Sequence, residues 1–295
     1  MYSLPTKVKR TFSRIKRVLR KSVRLDIRHS YDLYALTLPA NHLLPVYQNK
    51  YPLYDRFLPH LAKFLPQNTI VIDVGANVGD TTLSMYFANP QLKFISFEPD
   101  KKLLKYLQKN VRQMAKGASL LFSVAVSDTK SAFSMNGSKG TASISLHSQL
   151  PDGTTNTLDN ILSQISEEFA TWPISCIKSD TDGHDARVLL SGLDTVNRYK
   201  PLLFLECLIT SADELTVFDG LFSEFEKSGY VKCWIFSNTG ALTNSADSFE
   251  SLIPLLKSQY DKTQVSGYGQ YVDLLFASED YLSIAEKSVQ SFGKE

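Results

Sequence analysis

Cysteine is scarce in this sequence of 295 residues, which has three, Cys176, Cys207 and Cys233. They lie far apart and form no CxxC pair, so a zinc site of that spacing is not expected. An odd number also argues against a disulfide framework. Buried thiols in a reducing compartment are the remaining interpretation, and we expect a cytoplasmic protein.

Long apolar runs are also lacking. No stretch of about 20 apolar residues is present, so no membrane-spanning helix is expected. The N-terminus has no apolar run followed by a small-residue cleavage site, and a secretory signal is not expected. The sequence has no fixed-period repeat and no low-complexity linker. The length suits one well-buried domain with extensions, or two small ones.

The net charge of +2 hides a strong asymmetry. Residues 1–28 contain ten Lys or Arg and one acid, which leaves 22 basic and 29 acidic residues for the rest. An acidic body disfavours nucleic-acid binding. The arm predicts an amphipathic helix that either contacts an anionic membrane surface through residues 5–24 or packs on the body or a second subunit. Its apolar face comprises Val8, Phe12, Ile15, Leu19 and Val23.

An aromatic-rich extension follows at residues 29–66. Aromatic side chains with polar tips either line a substrate entrance or form a packing cap on the fold, and we favour the cap. The residues concerned are Tyr31, Tyr34, Tyr47, Tyr51, Tyr54 and His60.

Strands and helices alternate from residue 67 onward, which predicts a parallel, doubly wound α/β sheet in a domain over residues 67–295. Residues 127–158, rich in Ser, Thr and Gly, predict a hairpin or loop inserted on the rim of the sheet, on the side where the substrate that accepts a transferred group would bind. The candidates to line that side are Asn136, Gly137, Lys139, Thr141 and Ser143. The predicted strands are 69–73, 93–97, 119–126, 174–180, 201–206, 230–236 and 271–277. The predicted helices are 81–89, 100–114, 158–169, 184–196 and 213–228.

The first chemical motif joins a buried strand to a helix through a glycine turn, and runs from Asp73 through Gly75, Ala76 and Asn77 to Gly79. Gly75 permits a tight turn close to a ligand, and Gly79 a close helix–strand approach. The helix N-terminus suits a carboxylate and Asp73 a cationic amine, so an amino-acid moiety fits here. A dinucleotide fingerprint has a glycine where Asn77 stands, and its pyrophosphate needs that space.

The second motif is an acid at the end of the next strand, Glu98, followed by Pro99. An acid at this place can accept both hydroxyls of a ribose, as in dinucleotide-binding folds. The alternative is a helix N-cap or first-turn acid. Ser123 and Ala125 end the third strand, where we expect an adenine ring against small side chains.

The third constellation follows strand 174–180, beside the expected switch point of the sheet. Crowded acids perturb one another's pKa values, which is typical of functional sites and also of structural networks. Asp180 and Asp182, then His184, are our candidates for a catalytic base or for holding substrate. Alternatively, Asp182 caps the next helix and His184 is exposed. These residues could also bind a divalent cation, but we assign no metal.

Three further residues are assigned to the substrate. Lys178 and Asp185 flank the third constellation, and Glu206 ends strand 201–206 on the same predicted edge. Glu206 either faces substrate or pairs with Lys178 as buried scaffolding, and the sequence leaves both open.

The runs IDVGANVGDTT, FISFEPD, SVAVSD, TNTLDNIL, IKSDTDGHDARVLLSG and PLLFLE, in this order, resemble FkbM-type methyltransferases over residues 69–206, and DLLFA near Asp273 fits their last strand. The resemblance implies a Rossmann-like seven-stranded sheet with an antiparallel last strand. It implies S-adenosylmethionine as cofactor and O-methylation of sugar hydroxyls in glycans or natural products. Where the family commonly has Asp-Val-Glu-Gly-Ala-Glu, residues 180–185 read Asp-Thr-Asp-Gly-His-Asp, similar to a sub-branch associated with bacterial surface polysaccharides.

Two other functions remain open at this stage. A nicotinamide-linked oxidoreductase would need a close approach of pyrophosphate, which Asn77 obstructs. A non-catalytic adaptor would use a methyltransferase-like fold and the basic arm to recruit a partner, although the complete set of acids at the strand ends argues against degeneration. The sequence does not indicate the oligomeric state.

Overall fold

The computed structural model describes residues 25–138, 141–146, 151–267 and 269–294. Its centre is an eight-stranded sheet with the order β12-β11-β13-β10-β9-β3-β4-β5. The strands of the molecule are β1 Ile27–Ser30, β2 Ala35–Leu38, β3 Ile70–Val74, β4 Lys93–Phe97, β5 Ser119–Phe122, β6 Ala132–Ser138, β7 Thr141–Leu146, β8 Gly153–Thr154, β9 Ile174–Ser179, β10 Leu202–Cys207, β11 Tyr230–Ser237, β12 Leu242–Ala246 and β13 Val272–Ser278.

Helices cover both faces of this sheet. The helices are α1 Leu44–Lys50, α2 Phe57–Ala62, α3 Asp80–Ala88, α4 Lys101–Asn110, α5 Leu158–Leu162, α6 Glu167–Ala170, α7 Asp185–Leu190, α8 Leu193–Tyr199, α9 Ala212–Lys227, α10 Leu252–Ser266 and α11 Glu279–Ser291, with short 3-10 turns at Val111–Gln113 and Phe249–Ser251.

The expected sheet topology is confirmed. Strands β5, β4, β3, β9 and β10 are mutually parallel, and β13 pairs antiparallel with both β10 and β11. The alternating βα units give parallel neighbours because each helix crosses over the sheet before the next strand begins. The seven expected strands are extended by β12, an antiparallel edge strand beside β11 that the sequence analysis did not predict.

Two apolar cores, one on each sheet face, hold the helices in place. Alternate residues of one strand face opposite sides, so Ile70 and Ile72 belong to one core and Val71 to the other. The first core is closed by α5–α10, and the second by α1–α4 and α11. Such burial of β-branched and aromatic residues on both faces is typical of parallel sheets, and it fixes the strand ends that carry the site.

The extension over residues 29–66 is built into the second core. Leu36, Leu38, Phe57 and Leu61 are buried in it together with Val71 of β3. The predicted arm over residues 1–28 lies outside the described residues up to residue 24, and its membrane contact stays a prediction. Within the part of the chain that is described, no helix is long and apolar enough to cross a bilayer.

Two helices predicted as continuous are each broken in two. The helix expected over residues 158–169 ends at Leu162 and a second begins at Glu167, because Ser166 adopts an extended conformation. The one expected over 184–196 stops at Leu190 and restarts at Leu193 around Gly192, where a β-carbon would press on Leu158. The inserted hairpin, β6 and β7, forms a separate small sheet with β8.

Candidate active site

A cavity of about 610 Å³ opens at the carboxyl edge of the sheet, where the strand order reverses between β3 and β9. Such a switch point is where open α/β sheets bind ligands, and the volume lies in the range of small-molecule sites. Residues at the ends of β3, β4, β9 and β10 line it, together with the start of β13, which runs the opposite way. Of the predicted site residues, the lining includes Gly75, Asn77, Glu98, Lys178, Asp180, Asp182 and Glu206.

The turn after β3 is held close to the sheet. Gly75 and Asn77 both have positive φ, +76° and +50°, and the N–H of Gly75 donates to the carbonyl of Phe97. The close approach that Gly75 permits is to protein rather than to ligand, since a β-carbon there would overlap the carbonyl oxygen of Asp180. The missing side chain thus lets the loops after β3 and β9 meet at the cavity floor.

Glu98 at the end of β4 faces the cavity and is 4% exposed. Its carboxylate accepts one hydrogen bond from the N–H of Asn77 at 2.8 Å and one from that of Asp100 at 2.7 Å. Burial raises the pKa of Glu98 to about 8, although these two bonds favour the ionised form. The N-cap of α4 is Asp100, so the alternative of Glu98 as a helix cap is wrong.

Asp73 does not line the cavity, contrary to the role predicted for it. Its carboxylate is fully buried behind the turn, where it forms an ion pair with Lys178 (Nζ–Oδ1 3.0 Å) and accepts a hydrogen bond from Thr82 at 2.7 Å. The ammonium of Lys178 also donates to the carbonyl of Gly75 at 2.9 Å and lies 3.6 Å from Asp180. Lys178 therefore pairs with Asp73 and Asp180, and the proposed scaffolding pair with Glu206 is not formed.

The loop after β9 presents two acids to the cavity. Asp180 is about half exposed, with 52% of its side chain accessible, and Asp182 is half-buried with a positive φ of +55°. Asp182 does not cap the following helix, because α7 begins after His184. Both acids remain candidates to orient an acceptor or to take its proton.

His184 and Asp185 are not among the residues that line the cavity, contrary to the site predicted for them. His184 bonds to the hydroxyl of Ser127 at 2.9 Å; burial lowers its pKa to about 4, and the charge of Arg187 adds to the effect. Asp185 is fully buried and accepts hydrogen bonds from Ser179 at 2.6 Å and from the N–H and hydroxyl of Thr181 at 3.0 Å. Asp185 shapes the loop and does not reach a ligand in the cavity.

Five of the predicted cofactor residues lie outside the lining as well. Ala76 is buried, and a β-carbon on Gly79 would strike Leu107, so this glycine serves contact with α4 rather than with the strand. Ser123 is exposed, and Ala125 is covered by the segment around Asn156, whose N–H donates to its carbonyl. The remaining one is Pro99. On the β4 side, the apolar lining comes from Leu103 of α4 instead.

The aromatic extension divides into two parts with different roles. Tyr34 stacks on Tyr31 on one side and on Phe87 on the other, and these rings form the packing cap. His60 belongs to this cap too: it is buried and bonds to Ser291. The other part lines the cavity, and comprises Tyr47, Tyr51, Tyr54, Asp55 and His42.

The wall opposite the glycine turn was not predicted. It consists of the loop after β11 and the start of β13, where Tyr271 and Asp273 line the cavity. A β-carbon on Gly240 would overlap the carbonyl of Leu53, so the β11 loop closes directly on the extension. The DLLFA run was the one available signal for Asp273, whereas the loop residues Asn238, Thr239 and Gly240 carried none.

Comparison with known proteins identifies the family. Residues 73–232, more than half of the chain, match the methyltransferase FkbM domain. The chain belongs to the FkbM methyltransferase family. It is an S-adenosylmethionine-dependent methyltransferase. No curated protein matches the sequence.

Solved structures give weak overall similarity. Methyltransferase FkbM from Methylobacillus flagellatus KT is 16% identical with a TM-score of 0.40; the match covers 56% of this chain and 39% of that one. Precorrin-6y C5,15-methyltransferase from Geobacter metallireducens GS-15 is 12% identical, with a TM-score of 0.37, covering 74% and 86%. An rRNA methylase from Streptococcus thermophilus is 10% identical, with a TM-score of 0.40, covering 75% and 93%.

The cavity fits the methyl donor of this family. Each oxygen of Glu98 accepts one N–H bond and has a further lone pair for a ribose hydroxyl. Asp80 in the first turn of α3 and Asp180 both line the cavity, whereas Asp73 is buried outside its lining, so these two replace Asp73 as candidates to hold the amine. Within the described residues no group of three or more His, Cys, Asp or Glu could hold a metal ion.

Proposed function

We propose that this protein O-methylates a sugar hydroxyl of a glycan or of a glycosylated natural product. The observation that carries the proposal is the set of residues that line the cavity at the switch point. Its β4 side holds Glu98 and Leu103, and its opposite side combines aromatic rings with carboxylates, including Tyr54, Tyr271 and Asp182. Rings that cover apolar C–H faces, with carboxylates that accept hydroxyl protons, are the chemistry that a sugar requires.

S-adenosylmethionine supplies a methyl group already activated on a sulfonium. The protein therefore has mainly to orient the acceptor hydroxyl in line with that group and to exclude water. Glu98 would hold the ribose hydroxyls of the donor. Asp182, half-buried beside the cavity, accepts the proton of the acceptor hydroxyl as its oxygen gains a methyl group.

The basic arm contributes to location in this proposal. Ten cations within residues 1–28 are attracted to an anionic bilayer surface by about 1 kcal/mol each near the membrane. The protein would act in the cytoplasm at the inner face of a membrane, where lipid-linked glycans are accessible. Sedimentation with vesicles of anionic or neutral lipid, for the full chain and a chain lacking residues 1–24, tests this part separately.

The test of the reaction is incubation with methyl-labelled S-adenosylmethionine and a panel of glycans, followed by mass spectrometry. A methyl mass gain on a sugar hydroxyl is expected, and Glu98→Ala should abolish it at low donor concentration. Calorimetry with S-adenosylhomocysteine and with NAD accompanies it. Binding of S-adenosylhomocysteine without methylation of any glycan would overturn the sugar assignment, and binding of neither ligand would favour a non-catalytic adaptor.

A further inference from the structure

Glu206 and Asp273 lie directly opposite each other across the antiparallel strands β10 and β13, and both line the cavity. Two like charges in this position destabilise a sheet. Glu206 is 6% exposed, and its Oε2 atom has no hydrogen-bond partner among the described residues. A buried carboxyl oxygen without a partner costs free energy unless a ligand supplies a donor. This unpartnered group is the starting point of the inference.

The surroundings add further acids, so the ionised form of this pair is disfavoured until a cation binds beside it. Asp55, Asp180 and Asp182 line the same cavity, and the charge of Asp180, after burial, raises the pKa of both Glu206 and Asp273. The basic residues of the described lining are Lys178 and His42. Lys178 forms ion pairs with Asp73 and Asp180 and donates a hydrogen bond to the carbonyl of Gly75. Its ammonium group therefore forms no ion pair with Glu206 or Asp273.

We propose that the acceptor carries an ammonium group beside the methylated hydroxyl, and that this group binds between Glu206 and Asp273. The inference rests on the proposed function and names its substrate class: amino sugars and other amine-bearing acceptors. An ammonium brings three donors and a positive charge, which match an unpartnered carboxylate and its like-charged neighbour.

Aromatic rings support a cation at this place. Tyr271, two residues before Asp273, and Tyr54 of the extension line the same cavity. The faces of such rings attract cations and also cover the apolar side of a sugar. The same carboxylates repel phosphorylated, sulfated or uronic acid acceptors, because a like charge brought into a partly buried site costs several kcal/mol. Acidic acceptors are therefore excluded.

A matched pair of trisaccharides tests the proposal. Protein saturated with S-adenosylhomocysteine is titrated in a calorimeter with the glucosamine trimer, and then with its fully N-acetylated counterpart, which has the same linkage but no charge. We expect the amine-bearing trimer to bind at least tenfold more tightly, and to be the better methyl acceptor with the labelled donor. Equal affinity, or a preference for the acetylated trimer, would overturn the proposal.

Variants locate the ammonium. Glu206→Gln and Asp273→Asn should each remove most of the tenfold preference and leave the dissociation constant of S-adenosylhomocysteine unchanged, which also shows that the variants are folded. Glu250→Gln, at an exposed acid remote from the cavity, is the matched control and should keep the preference.

Three outcomes separate this proposal from the proposed function. Binding of neither trimer, with S-adenosylhomocysteine still bound, would overturn the amine assignment alone. Binding that requires Mg²⁺ would overturn it in favour of a divalent cation between the carboxylates. Failure to bind S-adenosylhomocysteine would overturn the proposed function itself.

Discussion

Asp73 and Lys178 are nearest neighbours across the parallel strands β3 and β9, and their side chains form an ion pair of 3.0 Å that is closed to solvent. The pair joins the two strands on either side of the switch point and positions the glycine turn, because Lys178 also donates to the carbonyl of Gly75. The sequence predicts that Asp73 binds the amine of the donor. In the structure Asp73 instead acts indirectly, because its ion pair with Lys178 positions the glycine turn that lines the cavity.

Breaking this pair from one side should be costly. Lys178→Met keeps the length of the side chain but leaves the buried carboxylate of Asp73 without its cation. Removal of one partner of a buried ion pair costs about 3–5 kcal/mol, and we expect a loss of this size in the free energy of unfolding measured in urea. The double variant Asp73→Asn/Lys178→Met, which removes both charges, should be more stable than Lys178→Met alone. If the loss of stability in the double variant equalled the sum of the losses in Asp73→Asn and Lys178→Met, the pairing would be contradicted.

Gly75 should not tolerate any side chain. Gly75→Ala places a β-carbon on the carbonyl oxygen of Asp180 at a position with φ +76°, so the two loops must separate. We expect the free energy of unfolding to fall by about 1–3 kcal/mol and S-adenosylhomocysteine to bind more weakly. Gly220→Ala is the control, since it lies exposed in α9 with nothing near its β-carbon and should stabilise the helix by up to about 1 kcal/mol. Equal effects of the two substitutions would refute the close approach.

The affinity for the donor should depend on pH through Glu98. With a pKa of about 8 in the free protein, Glu98 is mostly protonated at pH 6 and becomes a carboxylate as the pH rises. If Glu98 holds the ribose as proposed, the hydroxyls donate to the carboxylate, so binding of S-adenosylhomocysteine should strengthen between pH 6 and 8, by about tenfold per unit at most. Glu98→Gln, which cannot ionise, should bind weakly with no such rise. A wild-type affinity that is constant over this range would contradict the assignment.

The order of the sheet was predictable from the sequence, because buried β-branched runs such as 70–74 and 93–97 alternate with amphipathic helices. Edge features were not predictable: β12 is largely exposed, so its sequence has no alternation of apolar and polar residues. Helices α10 and α11 were missed too, although both have buried positions and α10 ends at Gly267 in the left-handed conformation. The breaks within residues 158–169 and 184–196 depend on tertiary contacts, such as Gly192 against Leu158, that a local pattern does not contain.

Site residues at the carboxyl ends of the parallel strands were predictable from the sequence. Glu98, Asp180 and Glu206 lie at the same sheet edge because parallel strands end together. Which way a side chain points within a loop was not predictable: residues 180–185 include two acids that face the cavity and one, Asp185, that turns inward to Ser179. The residues of the extension reach the cavity through contacts more than a hundred positions away, as between Leu53 and Gly240.

His184 should affect stability rather than turnover. Its pKa of about 4 lies below the ordinary value of 6.5, so the unfolded chain takes up a proton that the folded chain rejects. The neutral ring therefore favours the folded state above pH 6.5, and this stabilisation is lost as the pH falls toward 4. His184→Gln, which can still bond to Ser127, should reduce the acid sensitivity of unfolding over that range and leave turnover at pH 7.5 within about twofold. A loss of turnover above a hundredfold would restore His184 as a catalytic group.

A substitution of Asp182 should lower turnover and leave donor binding intact, whereas a substitution of Glu98 should weaken donor binding. Asp182→Asn keeps the shape and the positive φ that Asn tolerates well, but it removes the carboxylate that is proposed to take the acceptor proton. General-base catalysis contributes about 10²–10⁴-fold to the rate of a reaction. Because the sulfonium is already activated, we expect Asp182→Asn to lower turnover by a factor toward the lower end of this range. The dissociation constant of S-adenosylhomocysteine should stay within a factor of about two. Glu98→Ala should show the reverse pattern, with weaker donor binding and turnover that recovers at saturating donor. If Asp182→Asn weakened donor binding as much as turnover, its carboxylate would belong to the donor site rather than to the acceptor.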